Sequence, residues 1–195
     1  MKQLSKSSEV STIFIPKHYE MKDHETMFAF IEQYSFANII SRGSEQLHGT
    51  HLPLLYERRV EGDYLIGHMA KANPQWKSIT GDVLVIFNGP HTYVSPAFYE
   101  KEGFVPTWDY QAVHVYGTYY DKSEPEDLKR IMNNTIHFYE STQTSPWHGN
   151  VPDEIYNRLI KGVVGFEIAI ERMEGQWKLH QDHPIERRQL VKKMP

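Results

Sequence analysis

The stretch Gly49–Met69, GTHLPLLYERRVEGDYLIGHM, decides the fold. Gly49 to Tyr56 reads as a strand and Tyr64 to Met69 as a second, with the turn signal Glu61-Gly62-Asp63 between them. Two strands joined this closely form a hairpin. Pro53 sits inside the first strand and has no N–H to give a ladder, so it demands an edge or bulged position.

The pattern continues on both sides. Asp23 is a good helix cap, and Met27, Phe28, Ile31 and Tyr34 follow at helical spacing. Ser35–Ser41 (SFANIIS) reads as a strand. Asp82–Phe87 (DVLVIF) is a continuous apolar run, expected in a strand covered on both faces. Asn88-Gly89-Pro90 punctuates it, so His91–Ser95 is expected to pair back. Ser95–Asp109 reads as a long loop. Gln111–Asp121 alternates, with Val113, Val115, Gly117 and Tyr119 on one face.

Ser123-Glu124-Pro125-Glu126 resembles a capping box. The helix after it puts Leu128, Ile131, Met132, Ile136 and Tyr139 on one side. A polar loop, Ser141–Val151, precedes a shorter helix opened by Pro152 and running to Ile160. Val164, Phe166, Ile168 and Ile170 alternate with Gly165, Glu167, Ala169 and Glu171, as in a half-buried strand. From Gln176 the chain reads as a polar tail carrying Arg187, Arg188, Lys192 and Lys193. The sum is six or seven strands and three helices. Strands in succession with short turns favour antiparallel pairing, and a small barrel with flanking helices over a parallel sheet. Residues 1–12 read as a loosely ordered tail and 13–195 as one domain.

Composition narrows the function. With 195 residues the chain is long enough to bury a substantial core. Aromatic residues make up 13% and there are 11 His. The formal net charge of −4 argues against a domain held on DNA by general electrostatics. Cysteine is absent, which excludes disulfides, thiolate catalysis and cysteine-based metal sites, and fits the reducing cytoplasm expected for this chain. No apolar run approaches the roughly 20 residues of a membrane helix.

The polar candidates gather in Gly67–Lys77. This segment leaves a strand and brings His68, Lys71, Asn73, Gln75, Trp76 and Lys77 together, ending at a helix start. Lys71 and Lys77 suit a phosphate, and Asn73, Gln75 and Trp76 suit bonding to, or stacking on, a flat ligand. The alternatives are solvated lysines and a turn followed by an inward-packed Trp. His48 and His51, three apart on a strand, point to opposite faces, so a joint metal site is disfavoured. His51 and His68 stand open to face each other across the hairpin, and no metal is expected. No nucleophile elbow, phosphate-binding glycine loop or helix-turn-helix signature is present, and no catalytic residue is singled out.

Nearly the whole chain resembles the PaiB-type transcriptional regulators, a branch of the FMN-binding split barrels related to pyridoxamine-phosphate oxidase. The matching blocks include Phe14-Ile15-Pro16, Thr50-His51-Leu52-Pro53-Leu54, Gly67–Trp76, Phe87-Asn88-Gly89-Pro90-His91, Val105-Pro106-Thr107-Trp108 and Gly162–Phe166. The resemblance implies a mainly β, α+β fold: a six-stranded antiparallel split β-barrel with flanking helices, built as a homodimer with FMN at its interface. It places Thr50, His51, His68, Lys71, Asn73, Gln75 and Trp76 in the flavin shell, joined by Lys77 and Gln181, with Trp108 and Tyr110 closing from the partner. It also implies a negative regulator of sporulation and protease production, with a DNA or regulatory protein partner. A flavin-dependent NAD(P)H oxidoreductase, or a haem-binding barrel using one His, are the alternatives.

Two departures stand out. A block that typically reads Trp-Asn-Tyr has Asp109, and one that typically reads Lys-Leu-Ser-Gln-Asn is Lys178-Leu179-His180-Gln181-Asp182 here. An added carboxylate beside a phosphate or a reduced flavin repels it, so Asp109 and Asp182 are expected to disfavour the cofactor.

Overall fold

The computed structural model describes residues 13–99, 105–148 and 151–191. The N-terminal tail expected over residues 1–12 lies outside them. The strands are β1 (Glu20–Met21), β2 (Phe36–Arg42), β3 (Leu47–Arg59), β4 (Gly62–Ala70), β5 (Asp82–Val94), β6 (Thr107–Asp121) and β7 (Val163–Lys178). The helices are α1 (His24–Gln33), α2 (Gln75–Ser78), α3 (Pro125–Ser141), α4 (Asp153–Ile160) and α5 (Ile185–Val191).

The sheet order is β1-β7-β4-β3-β2-β5-β6, and a further β7–β6 pairing closes β2 to β7 into a ring of six. The ladders β2–β3, β2–β5, β3–β4 and β4–β7 are antiparallel. This is the small antiparallel barrel that the succession of strands favoured, with the six strands that the resemblance implied. The chain divides into two compact units: a larger one from Asp23–Gly89 and Ala112–Met173, and a smaller one from Met1–Lys22, Pro90–Gln111 and Glu174–Pro195. Strands β5, β6 and β7 contribute residues to both.

In the larger unit, β3 changes partner at Pro53. Its first half pairs with β2 up to Phe36↔Pro53, and its second half pairs with β4 from Leu54↔Gly67. The residue without an N–H therefore stands where one ladder hands over to the next. The interior is filled by side chains such as Leu54, Leu65, Val85, Phe87, Val113, Val115, Phe166 and Ile168, each fully buried. Ring closure depends on Gly117 of β6: a Cβ there would lie 2.1 Å from the Ala169 carbonyl oxygen of β7.

Helix α1 is capped by Asp23, whose carboxylate accepts from Thr26 N at 2.9 Å. It packs on β3, where Phe28 stacks on Tyr56 with centroids 4.2 Å apart. Helix α3 packs on the outside of the sheet through Leu128 and Ile131, both of which a Cβ at Gly165 would strike at 2.9 Å. β7 is consequently covered on both faces from Val164 to Ile168, not half-buried. Its Glu167 is buried but accepts from Arg59 Nη1 at 3.0 Å and meets Lys122 Nζ at 3.1 Å, as a buried charge requires.

Several sequence expectations need correction. β5 runs through Asn88-Gly89-Pro90 without turning back. Its ladder with β2 covers only Val83–Ile86, so Pro90 costs that ladder no bond, and the punctuation marks the boundary between the two units instead. β5 is covered mainly on one face: Val83, Val85 and Phe87 are buried, Leu84 and Ile86 only half-buried. The capping box is not formed. Glu124 is the cap residue without a side-chain cap bond, and Ser123 bonds Asp121. β7 continues to Lys178 and α5 follows, where a polar tail was expected.

In the smaller unit, β1 pairs with the end of β7 through Glu20↔Gln176 and Met21↔Gly175. Trp177 N donates to Tyr19 O at 2.9 Å, extending the contact by one residue.

Candidate functional site

In the larger unit, the chain leaving β4 folds into a tight polar loop. Gln75 is only 1% exposed and is its hub. Its amide Nε2 donates to Ser41 Oγ at 3.0 Å and to Ile39 O at 3.2 Å. Its Oε1 accepts from Thr50 Oγ1 at 2.5 Å, and that hydroxyl in turn accepts from Asn73 Nδ2 at 2.8 Å. Asn73 Oδ1 accepts from Gln75 N at 2.9 Å, so this helix-start amide is already used within the loop. Thr50, Asn73 and Gln75 thus form one internally satisfied network that pins the loop to β2 and β3.

Around this frame stand the groups with free capacity. Lys71 is exposed immediately after β4, and its carbonyl accepts from Trp76 Nε1 at 3.1 Å. Lys77 lies over the Trp76 ring, its Nζ 5.3 Å from the centroid. His51 is exposed and stacked on Phe36, with centroids 6.3 Å apart. It pairs with Asn38 of β2, so it does not face His68 across the hairpin. His68 is half-buried on β4, and its Nδ1 is buried with no hydrogen-bond partner among the described residues. Burial holds its pKa below the ordinary value, so the ring is neutral at pH 7.

In the smaller unit, Trp108 is 53% exposed and lies edge-on to Tyr93, centroids 5.8 Å apart. Tyr110 is half-buried beside it in the sequence. Gln181 closes the turn after β7: its Oε1 accepts from Leu179 N at 2.6 Å and its Nε2 donates to Trp177 O. Both ends of that amide are engaged.

The same unit answers the question raised by the two acidic departures. Asp109 is buried, and its two carboxylate oxygens lie 2.6 and 2.7 Å from His180 Nδ1. Of the departures from the pattern that the resemblance implies, Asp109 and His180 are thus each other's partner. Burial pushes Asp182 up, but a hydrogen bond from the Tyr19 hydroxyl, a backbone amide, and His183 and His18 outweigh it and hold the carboxyl below its usual range. Burial, then Asp182, pushes the Tyr19 phenol well above its ordinary value. Each of these acids is occupied by a neighbour within its own unit. His183 is lowered chiefly by burial, against the pull of Asp182.

The profile of a family described as "Putative FMN-binding domain" matches residues 13–172. This chain belongs to that family. FMN, expected from the resemblance, is the cofactor that the family's description carries. The matched region contains every candidate from Thr50 to Tyr110 and leaves out Gln181. Among relatives, "Protease synthase and sporulation protein PAI 2" of Bacillus subtilis is 35% identical over 174 residues, covering 87% of this chain and 83% of that one. The likeness to PaiB-type proteins is borne out at that level. Among solved structures, the FAD and haem binding protein of Mycobacterium smegmatis has a TM-score of 0.62 at 13% identity, covering 90% of this chain and 81% of the other. The flavocytochrome Anf3 of Azotobacter vinelandii has a TM-score of 0.61 at 13% identity, covering 82% and 69%. These two share the fold.

The larger unit's donor set fits the family's cofactor. It offers a buried imidazole nitrogen at His68 of β4, unpartnered among the described residues, and two ammonium groups at Lys71 and Lys77 on a loop held by Gln75. The bonds of the Gln75 hub were not legible in the linear sequence, because Ile39 and Ser41 lie 36 and 34 positions away. The Asp109–His180 pair did leave a signal, in that both departures occur in one chain.

Proposed function

We propose that this chain is a homodimeric FMN-binding protein that acts in regulation, in the manner suggested by its sporulation-protein relative. The observation that carries the reading is the family match over residues 13–172, which spans β3, β4 and the whole loop from Lys71 to Lys77. When bound, FMN supplies reversible electron exchange; the protein supplies position and field.

In this reading Lys71 and Lys77 hold the phosphate end as charge-assisted donors. His68, kept neutral by burial, offers one ring nitrogen without bringing a charge beside the flavin. His51 flanks the site from β3. Thr50, Asn73 and Gln75 are its frame: they fix the loop so that little ordering remains to be done on binding. Trp108 and Tyr110 cover the ring from the second copy. In this reading any transcriptional effect runs through a protein partner or a local, not a general, contact with DNA, which the net charge of −4 supports.

The test is the visible spectrum of the purified protein, taken again after FMN is added and free flavin removed on a desalting column. Retained flavin bands support the reading. A colourless protein refutes it, and a Soret band in their place assigns the barrel to haem.

A further inference from the structure

A cavity of about 810 Å³ opens in the larger unit on the side of the post-β4 loop away from the Gln75 hub. The hub bonds to β2 and β3, whereas the cavity's walls are the start of β7, α3 and α4. Its size falls in the range of small-molecule sites. Leu128, Ile160, Val163 and Val164 give it an apolar wall, and Trp76 adds an indole.

The polar groups are unevenly matched. Lys71, Lys129 and Lys161 line the cavity, and none has an ion-pair partner among the described residues. The acids lining it are Asp121 and Glu126. Asp121 accepts from Ser123 N and Ser123 Oγ, both at 3.0 Å, so the lining sets two carboxylates against three ammonium groups and keeps a positive balance. The Tyr156 hydroxyl from α4 is buried and has no hydrogen-bond partner among the described residues. Burial pushes its pKa up, so it keeps its proton and remains a donor. A buried, unsatisfied hydroxyl is costly unless something meets it.

We propose that this cavity binds a small aromatic carboxylic acid, its ring among Trp76, Leu128 and Ile160 and its carboxylate met by Lys129, Lys161 and the Tyr156 hydroxyl. The ligand is an effector and not the flavin. Lys71 and Trp76 belong both to the cavity and to the loop that carries Asn73 and Gln75, and the Trp76 indole closes that loop onto Lys71 O. An acid seated there bears on the loop from behind. The assignment stands on the cavity alone and does not rest on the flavin reading.

The probe is 1-naphthoate, titrated into the full-length protein by calorimetry, with and without saturating FMN. The expected result is binding in both conditions. Lys129→Ala combined with Lys161→Ala raises Kd at least about tenfold, and Tyr156→Phe, which keeps the ring and the packing, raises it several-fold. FMN retention is unchanged in these variants, and neutral 1-naphthalenemethanol binds more weakly than the acid. Failure of the wild-type protein to bind naphthoate overturns the proposal. So does binding indifferent to the three substitutions, or displacement of naphthoate by FMN in simple competition. A protein that takes naphthoate but no FMN would uphold the cavity and sink the flavin reading.

Discussion

Asp109 and His180 lie 71 positions apart in sequence and are bound side chain to side chain, with His180 Nδ1 2.6 Å from Asp109 Oδ1. The imidazole is 2% exposed and the carboxyl 10%. A buried acid opposite a buried imidazole is satisfied as a pair and costly as a remnant.

His180→Ser alone therefore strands a buried carboxyl, and is expected to destabilise the protein by about 3–5 kcal/mol. Adding Asp109→Asn, which removes the stranded carboxyl, is expected to recover most of that loss. Urea midpoints of wild type, both single variants and the double variant give the coupling. Strictly additive effects would mean that the two side chains do not depend on each other.

The barrel's closure rests on a contact with no room in it. Gly117→Ala puts a Cβ about 2.1 Å from Ala169 O, a backbone atom that cannot swing away. The strands β6 and β7 must separate to admit it. A loss of at least about 1–3 kcal/mol is expected, the usual range for overpacking. Thermal melts of this variant beside Gly49→Ala, where an added Cβ meets nothing within 4 Å, isolate the closure from the general effect of removing glycine.

His68 ties stability to pH. Burial lowers its pKa in the folded state, so between the unfolded value near 6.5 and the lower folded value the unfolded chain binds more protons. Stability is full above about pH 6.5 and falls as pH drops through that window. His68→Gln is expected to remove part of this decline, by at most about 1.4 kcal/mol per pH unit for a single proton. Denaturant midpoints at pH 7.5, 6.5 and 5.5 measure it, and an unchanged acid slope would count against a buried neutral imidazole.

Lys71→Ala is expected to weaken FMN binding by about 1.5–3 kcal/mol, or roughly 10- to 150-fold, the scale of a hydrogen bond to a charged group. Flavin fluorescence quenching gives the Kd. Lys77→Ala is expected to do less, because that ammonium also lies against the Trp76 ring. If Lys71→Ala binds FMN as wild type does, Lys71 leaves the phosphate site.

Periodic segments were legible. The β3–β4 hairpin, the Asp23 cap and the apolar faces of β6 and α3 all follow from spacing within one element. What failed was punctuation read as obligation. Asn88-Gly89-Pro90 did not turn the chain, since only β5's earlier residues need the ladder with β2. Ser123 did not cap α3, since the helix opens on Pro125 and the cap position falls on Glu124, one residue later. Glu167 was assigned to an outward face because the sequence does not show that α3 would cover it. For the site, residue types were visible but their employment was not. Gln75 reads as a ligand-binding amide until Ile39 and Ser41 are seen to use it.

The change of partners at Pro53 gives β3 two independent halves. A residue inserted before Pro53 would reverse the faces of the β2 ladder and leave the β4 ladder in step, and one inserted after it would do the opposite. The position with least to give a ladder is the one that keeps an error in one hairpin from spreading to the next.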